Sequence, residues 1–135
     1  MFGNVNYLAV LVAAISAMVV GFIWYSESFF GKIWIELNHI TEKDNIGSSM
    51  GKNYSIMFMS SVVMAVVLAW LINLSNSSTL LDGMILAFWM WLGFVVTTFL
   101  SEVLFAKKPW KMFFIQSGYY LATLMVMGAI LAIWR

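Results

Sequence analysis

The sequence predicts an all-α integral membrane fold with four transmembrane helices in a bundle, and three observations lead there. The charged residues fall almost entirely into two clusters, leaving Met1 to Ser26, Asn53 to Leu81, Gly83 to Ser101 and Met112 to Trp134 free of charge. About 20 apolar residues rising ~1.5 Å each cross a ~30 Å hydrocarbon core, and a water-soluble domain has no reason to repeat that length four times in 135 residues. Composition agrees: the chain is 63% hydrophobic and 10% charged with a mean hydropathy of +0.93, where soluble domains carry roughly 25% charge. The longest stretch able to sit outside the bilayer is 27–52, so residues 1–135 form a single transmembrane domain.

The first helix is expected over about 5–25. It has no positive segment ahead of it and no small-x-small cleavage site followed by a polar region, so it reads as a retained helix. The loop 27–52 carries a short amphipathic helix: Lys32, Glu36, His39 and Lys43 repeat at helical spacing, and Ile33, Trp34, Leu37 and Ile40 form the opposite face. It suits an interfacial helix lying on the membrane, with Glu36 diluting any basic face. Asn45, Gly47 and Ser48 break it. The second helix is expected over about 54–72, the third over about 81–105 and the fourth over about 110–134, with Pro109 suited to a helix start because its missing N–H costs nothing there. Trp24, Trp34 and Trp110 mark one membrane interface, Trp70 and Trp134 the other.

Orientation follows from lysine. Lys32, Lys43 and Lys52 lie between helices 1 and 2, and Lys107, Lys108 and Lys111 between helices 3 and 4, whereas the loop between helices 2 and 3 has none. The positive-inside rule then places both termini on the non-cytoplasmic side. The net charge of +1 offers no basic patch for nucleic acid, and the lack of cysteine excludes disulfides and thiolate metal sites.

Small residues recur every four positions: Ala13, Ala17 and Gly21; Ser61, Ala65 and Ala69; Gly93, Thr97 and Ser101; Gly118 and Ala122, with Gly128 and Ala132 beyond. Burying apolar surface gains little in lipid, so close backbone approach at such stripes drives helix packing. A four-helix bundle has more of these faces than it needs internally, so one is expected to join protomers in a homo-oligomer. A second pattern is internal likeness: Ser26 to Trp34 reads SESFFGKIW and Ser101 to Trp110 reads SEVLFAKKPW. Either two helical hairpins repeat about an axis along the membrane normal, or interface segments share their Trp, Phe and Lys by composition alone.

Glu27 and Glu102 each fall near a helix carboxyl end, where the macrodipole disfavours an acid by ~0.3 to 1 kcal/mol. Each is either a headgroup-level acid paired with lysine or hydrated, or part of a protonatable or cation-binding pair. Thr98 and Glu102 share a face of helix 3, and Gln116 and Tyr120 share one of helix 4, so Glu102, Thr98, Gln116, Tyr120 and neighbouring Tyr119 form the candidate polar site, with Glu27 an interfacial acid. His39 is the only histidine and cannot found a transition-metal site by itself. The methionines of helix 2, Met57, Met59 and Met64, do not line one face, which argues for filler over copper ligation. No serine or aspartate has a base in a hydrolase pattern. No catalytic residue, metal or cofactor is therefore expected.

Trp24-Tyr25-Ser26 followed by Phe30-Gly31-Lys32-x-Trp34, the Leu80-Leu81-Asp82-Gly83 opening of helix 3, Trp91-Leu92-Gly93-Phe94, Leu104-Phe105 before Pro109, and Gly118-Tyr119 with Met127-Gly128-Ala129-Ile130-Leu131 resemble the bacterial membrane family catalogued as domain of unknown function 1761. The likeness covers nearly the whole chain. It implies a four-span protein of a bacterial cytoplasmic membrane with no assigned biochemical role. In that family pattern position 27 is more often proline, 102 an amide, 116 Asn or Asp and 120 histidine, so this chain's Glu27, Glu102, Gln116 and Tyr120 depart from it. That lowers the weight of Glu27 and favours a polar cluster around 102, 116 and 120. The leading reading is an oligomeric, non-enzymatic scaffold or regulatory protein whose partners are the lipid bilayer and its own copies. The alternatives are a channel or transporter for a small solute or ion, and a lipid-binding protein or membrane enzyme.

Overall fold

The computed structural model describes residues 2–26, 28–38 and 49–134. The chain runs α1 (Tyr7–Trp24), α2 (Gly31–Asn38), α3 (Ser49–Leu74), α4 (Leu80–Met90), a π-helical segment (Trp91–Val96), α5 (Thr97–Leu104) and α6 (Trp110–Ile133). The stretches Tyr7–Trp24, Gly51–Leu74, Leu80–Leu104 and Trp110–Ile133 are each long and apolar enough to cross a membrane. The third of these spans is α4, the π segment and α5 in continuation.

Local chemistry sets the ends. The Asn6 carboxamide oxygen accepts from the backbone N–H groups of Leu8 and Ala9 at 3.2 and 3.3 Å, capping α1. Its amide nitrogen donates to the Trp134 carbonyl at 3.2 Å, which ties the start of α1 to the end of α6. Asn73 likewise donates to the Asn4 carbonyl at 3.2 Å and anchors the end of α3. The Thr79 hydroxyl caps α4 through the Asp82 N–H at 3.1 Å, and Asp82 complements the positive end of the helix.

The bundle is asymmetric. Helix α6 is its axis, packed against α1, α3 and α4, and 44% of the residues in its most apolar stretch are buried. Helices α1 and α3 pack against each other and against α6 through Ala9, Ala13 and Ala17 on one side and Ala65, Leu68, Ala69 and Ile72 on the other, all buried. The third span lies outside this trio and touches α3 only slightly, and 11% of the residues in its most apolar stretch are buried. A two-fold relation between hairpins would map the α1–α6 contact onto the one between the third span and α3, and these two contacts are very unequal. The two similar sequence segments also diverge: after Ser26 the chain makes the short α2, after Ser101 it enters α6.

Close packing of the third span on α6 occurs at Gly83. A Cβ there would overlap the Gly128 carbonyl oxygen, and one on Gly128 would come within 2.6 Å of the Gly83 carbonyl oxygen and 3.0 Å of the Ala87 methyl. Gly83, Ala87, Gly128 and Ala132 thus form a small-xxx-small crossing. Gly93, singled out in the sequence as a packing residue of this helix, instead lies exposed with nothing within 4 Å of a Cβ built on it. Six residues beyond Ala87, it lies about 120° round the helix from the face that packs on α6. A row repeating every four residues drifts about 40° per step round an α-helix of 3.6 residues per turn. The i→i+5 bonding of Trp91–Val96 takes up that drift, so Gly83, Ala87, Trp91, Val95 and Phe99 keep to the α6 side while Gly93, Thr97 and Ser101 turn outward.

Candidate functional site at the lysine-bearing end

The aromatic and polar residues singled out in α6 meet the end of α1 near Lys32 and Lys111. Tyr119 is 7% exposed, and its ring fills the space left by two small residues of α1. Its hydroxyl reaches towards the Ala17 carbonyl at 3.5 Å. A Cβ at Gly21 would stand 3.3 Å from that hydroxyl oxygen, so the Ala17–Gly21 stripe makes room for a phenol as well as for a helix backbone. Thr123, one turn on, is 2% exposed beside the Tyr119 phenol.

Rings extend from this centre in both directions. Tyr119 packs on Tyr120 with centroids 4.8 Å apart and on Tyr25 at 5.4 Å. Tyr120 stacks on Phe99 of α5 at 5.7 Å, and Tyr25 meets Trp34 of α2 edge-on at 5.4 Å. Burial pushes the Tyr25 phenol above its ordinary range, and the nearby Tyr120 and Tyr119 phenols push the same way, so it stays neutral. Two indoles pin the same turn of α6: Trp24 donates to the Ile115 carbonyl at 3.0 Å and Trp91 to the Ser117 carbonyl at 2.7 Å. A Cβ on Gly118 would come 3.0 Å from the Trp24 ring, which leaves that indole resting on the helix backbone.

The remaining members of the expected cluster lie elsewhere. Glu102 and Thr98 are exposed on α5. The Thr98 hydroxyl bonds to the Phe94 carbonyl, Thr97 to the Gly93 carbonyl at 2.9 Å and Ser101 to the Thr98 carbonyl at 2.8 Å. Each hydroxyl is thus answered by its own helix. Gln116 is half-buried on α6, and no hydrogen bond joins it to Glu102, Thr98 or Tyr120. Ser61, Ala65 and Ala69 are buried within the α1–α3–α6 trio, and Ala122 is half-buried. Glu27, His39, Ile40 and Lys43 lie outside the described residues. On α2, Ile33, Trp34 and Leu37 turn inward and Lys32 and Glu36 outward, as its amphipathic pattern suggests.

Tyr25, Trp24 and Trp91 were not among the expected site residues. For Trp24 and Trp91 the signal is that an indole at this depth must find a hydrogen-bond partner, whereas Tyr25, just past the end of α1, gives none. Among the described residues the cluster supplies phenol and indole donors and aromatic faces, with no acid and base side by side.

The family model described as "Protein of unknown function (DUF1761)" matches residues 8–132. The chain belongs to this family. The DUF1761 match begins inside α1 and ends inside α6, so it takes in all four spans and the aromatic cluster. No match was found among curated proteins or among solved structures.

Proposed function

We propose that this DUF1761 protein is a non-enzymatic scaffold or regulatory protein that works as a homo-oligomer in a bacterial cytoplasmic membrane, with both termini on the non-cytoplasmic side. The observation that carries the reading is the third span. In its most apolar stretch 11% of the residues are buried, against 28% in α1 and α3 and 44% in α6, and the face it turns outward holds Gly93, Thr97 and Ser101 one turn apart. Small and hydroxyl-bearing side chains with their hydroxyls already bonded to the helix permit close backbone approach by another helix. The small residues of α1 and α3 are consumed inside the protomer, which leaves the third span as the free packing face.

The side-chain chemistry supports packing over catalysis, since the hydroxyls of Ser61, Ser117, Thr97, Thr98 and Ser101 are all engaged with helix carbonyls. A pathway for an ion or solute would have to form between protomers, because the core of the trio is mostly alanine, valine, leucine, isoleucine and methionine, and the buried Ser61 hydroxyl is bonded to its own helix. The native chain has no cysteine, so a single introduced one reports alone. Thr97→Cys in native membranes should give a disulfide-linked dimer under mild oxidation, and Val19→Cys on the outer face of α1 should not. Equal cross-linking at the two positions, or none at either, would reject the third span as the contact.

A further inference from the structure

We infer that the groove between the end of α1, α2 and the start of α6 is a binding site for an anionic phospholipid, with one acyl chain in the groove and the headgroup phosphate on Lys111. The groove has a volume of about 330 Å³ and is lined by Trp24, Phe30, Ile33, Phe114, Ile115 and Gly118, with Lys111 as its one charged wall. Its apolar walls are fixed. The Trp24 indole is held by the Ile115 carbonyl at 3.0 Å, and the Phe30 ring packs on Trp24 at 4.9 Å. Gly118 keeps the floor low, since any larger side chain would rise against Trp24.

Charge selects the occupant. Lys111 is exposed in the first turn of α6, after Lys107 and Lys108, and Lys32 is exposed on α2 beside the lining residue Ile33. The positive end of the α6 dipole points the same way, and the N-cap residue Pro109 offers no side-chain acceptor to it. From Met112 onward α6 carries no charge before Arg135, so the groove opens from a cationic rim into apolar surface, the polarity of a phospholipid read from headgroup to tail. The inference is independent of the proposed oligomer, because none of these residues lies on the third span.

The test is native mass spectrometry of the full-length protein extracted from bilayers of equal parts dioleoyl phosphatidylglycerol and dioleoyl phosphatidylcholine. The wild type should retain phosphatidylglycerol preferentially. Lys111→Gln should cut that preference about fivefold, the effect of one lysine near an anionic surface, while Lys52→Gln, a lysine that does not line the groove, should leave it in place. Gly118→Leu should lower retention of both lipids by filling the floor, and Phe114→Ala, which removes a wall from an exposed position, should do so where Gly118→Leu fails to fold. Equal retention of the two lipids by the wild type overturns the inference, as does an equal loss of preference in Lys52→Gln and Lys111→Gln.

Discussion

Asn6 carries two tasks with one side chain. Its oxygen caps α1 and its nitrogen holds the last carbonyl of α6, so its loss frees two N–H groups and a carbonyl at once. Asn6→Ala should destabilise the protein by about 1 to 2 kcal/mol, the upper part of the range for a lost cap, seen as a lower thermal midpoint in detergent. Asn6→Asp should recover the cap and lose only the tie to Trp134. Gly83 is more demanding, because its Cα hydrogen faces the Gly128 backbone and no flexible side chain stands between to give way. Gly83→Leu should cost about 3 kcal/mol or more, beyond ordinary overpacking, whereas Gly93→Leu, in open space, should leave the thermal midpoint of the protomer nearly unchanged. Comparing the two midpoints checks the assignment of the packing glycine.

At the scale of elements, the π segment decides what the third span presents. Removing one residue from a π turn returns it to α geometry and leaves the residues beyond it facing as before, whereas a one-residue deletion from an ordinary α-helix turns everything after it by about 100°. Deletion of Leu92, an exposed residue, should therefore preserve a short bifunctional cross-link between Phe99→Cys and Tyr120→Cys. Loss of that cross-link would show that the segment is plain α-helix. This element also marks where sequence reading stopped. The four spans were legible because hydropathy depends only on which residues lie consecutively, and the expected limits differ from the observed ones chiefly at Ser49, where polar residues continue α3 below its apolar run. Alanine stripes in α1 and α3 were legible because those helices keep one period throughout. The third span changes period at Trp91, so α-helical spacing carried Thr98 and Glu102 inward on paper, whereas Val95 and Phe99 take that side. The Gly83–Ala87 crossing went unread beside the charge of Asp82. Tyr119 and Tyr120 were found as polar groups at depth, but Tyr25 sits just past the end of α1, where an interfacial tyrosine needs no partner and gives no signal.

For the whole molecule, six lysines lie in or beside the connections between the first and second spans and between the third and fourth, and the proposed orientation, with both termini outside the cytoplasm, rests on that asymmetry. An alkaline phosphatase fused after Arg135 should be active and one fused within 41–52 inactive; the reverse pattern would invert the topology. A trio of packed helices with a fourth span laid along one of them then explains how so small a chain offers a large outward face. The third span has room for a partner helix because α3 does not cover it. Mass measurement of the purified protein in lipid nanodiscs tests this most directly. The account predicts a discrete multimer of the 15.3 kDa protomer that Thr97→Leu reduces to monomers while Leu8→Ala, on the outer face of α1, leaves it intact. A wild-type protein that measures as a monomer would contradict it.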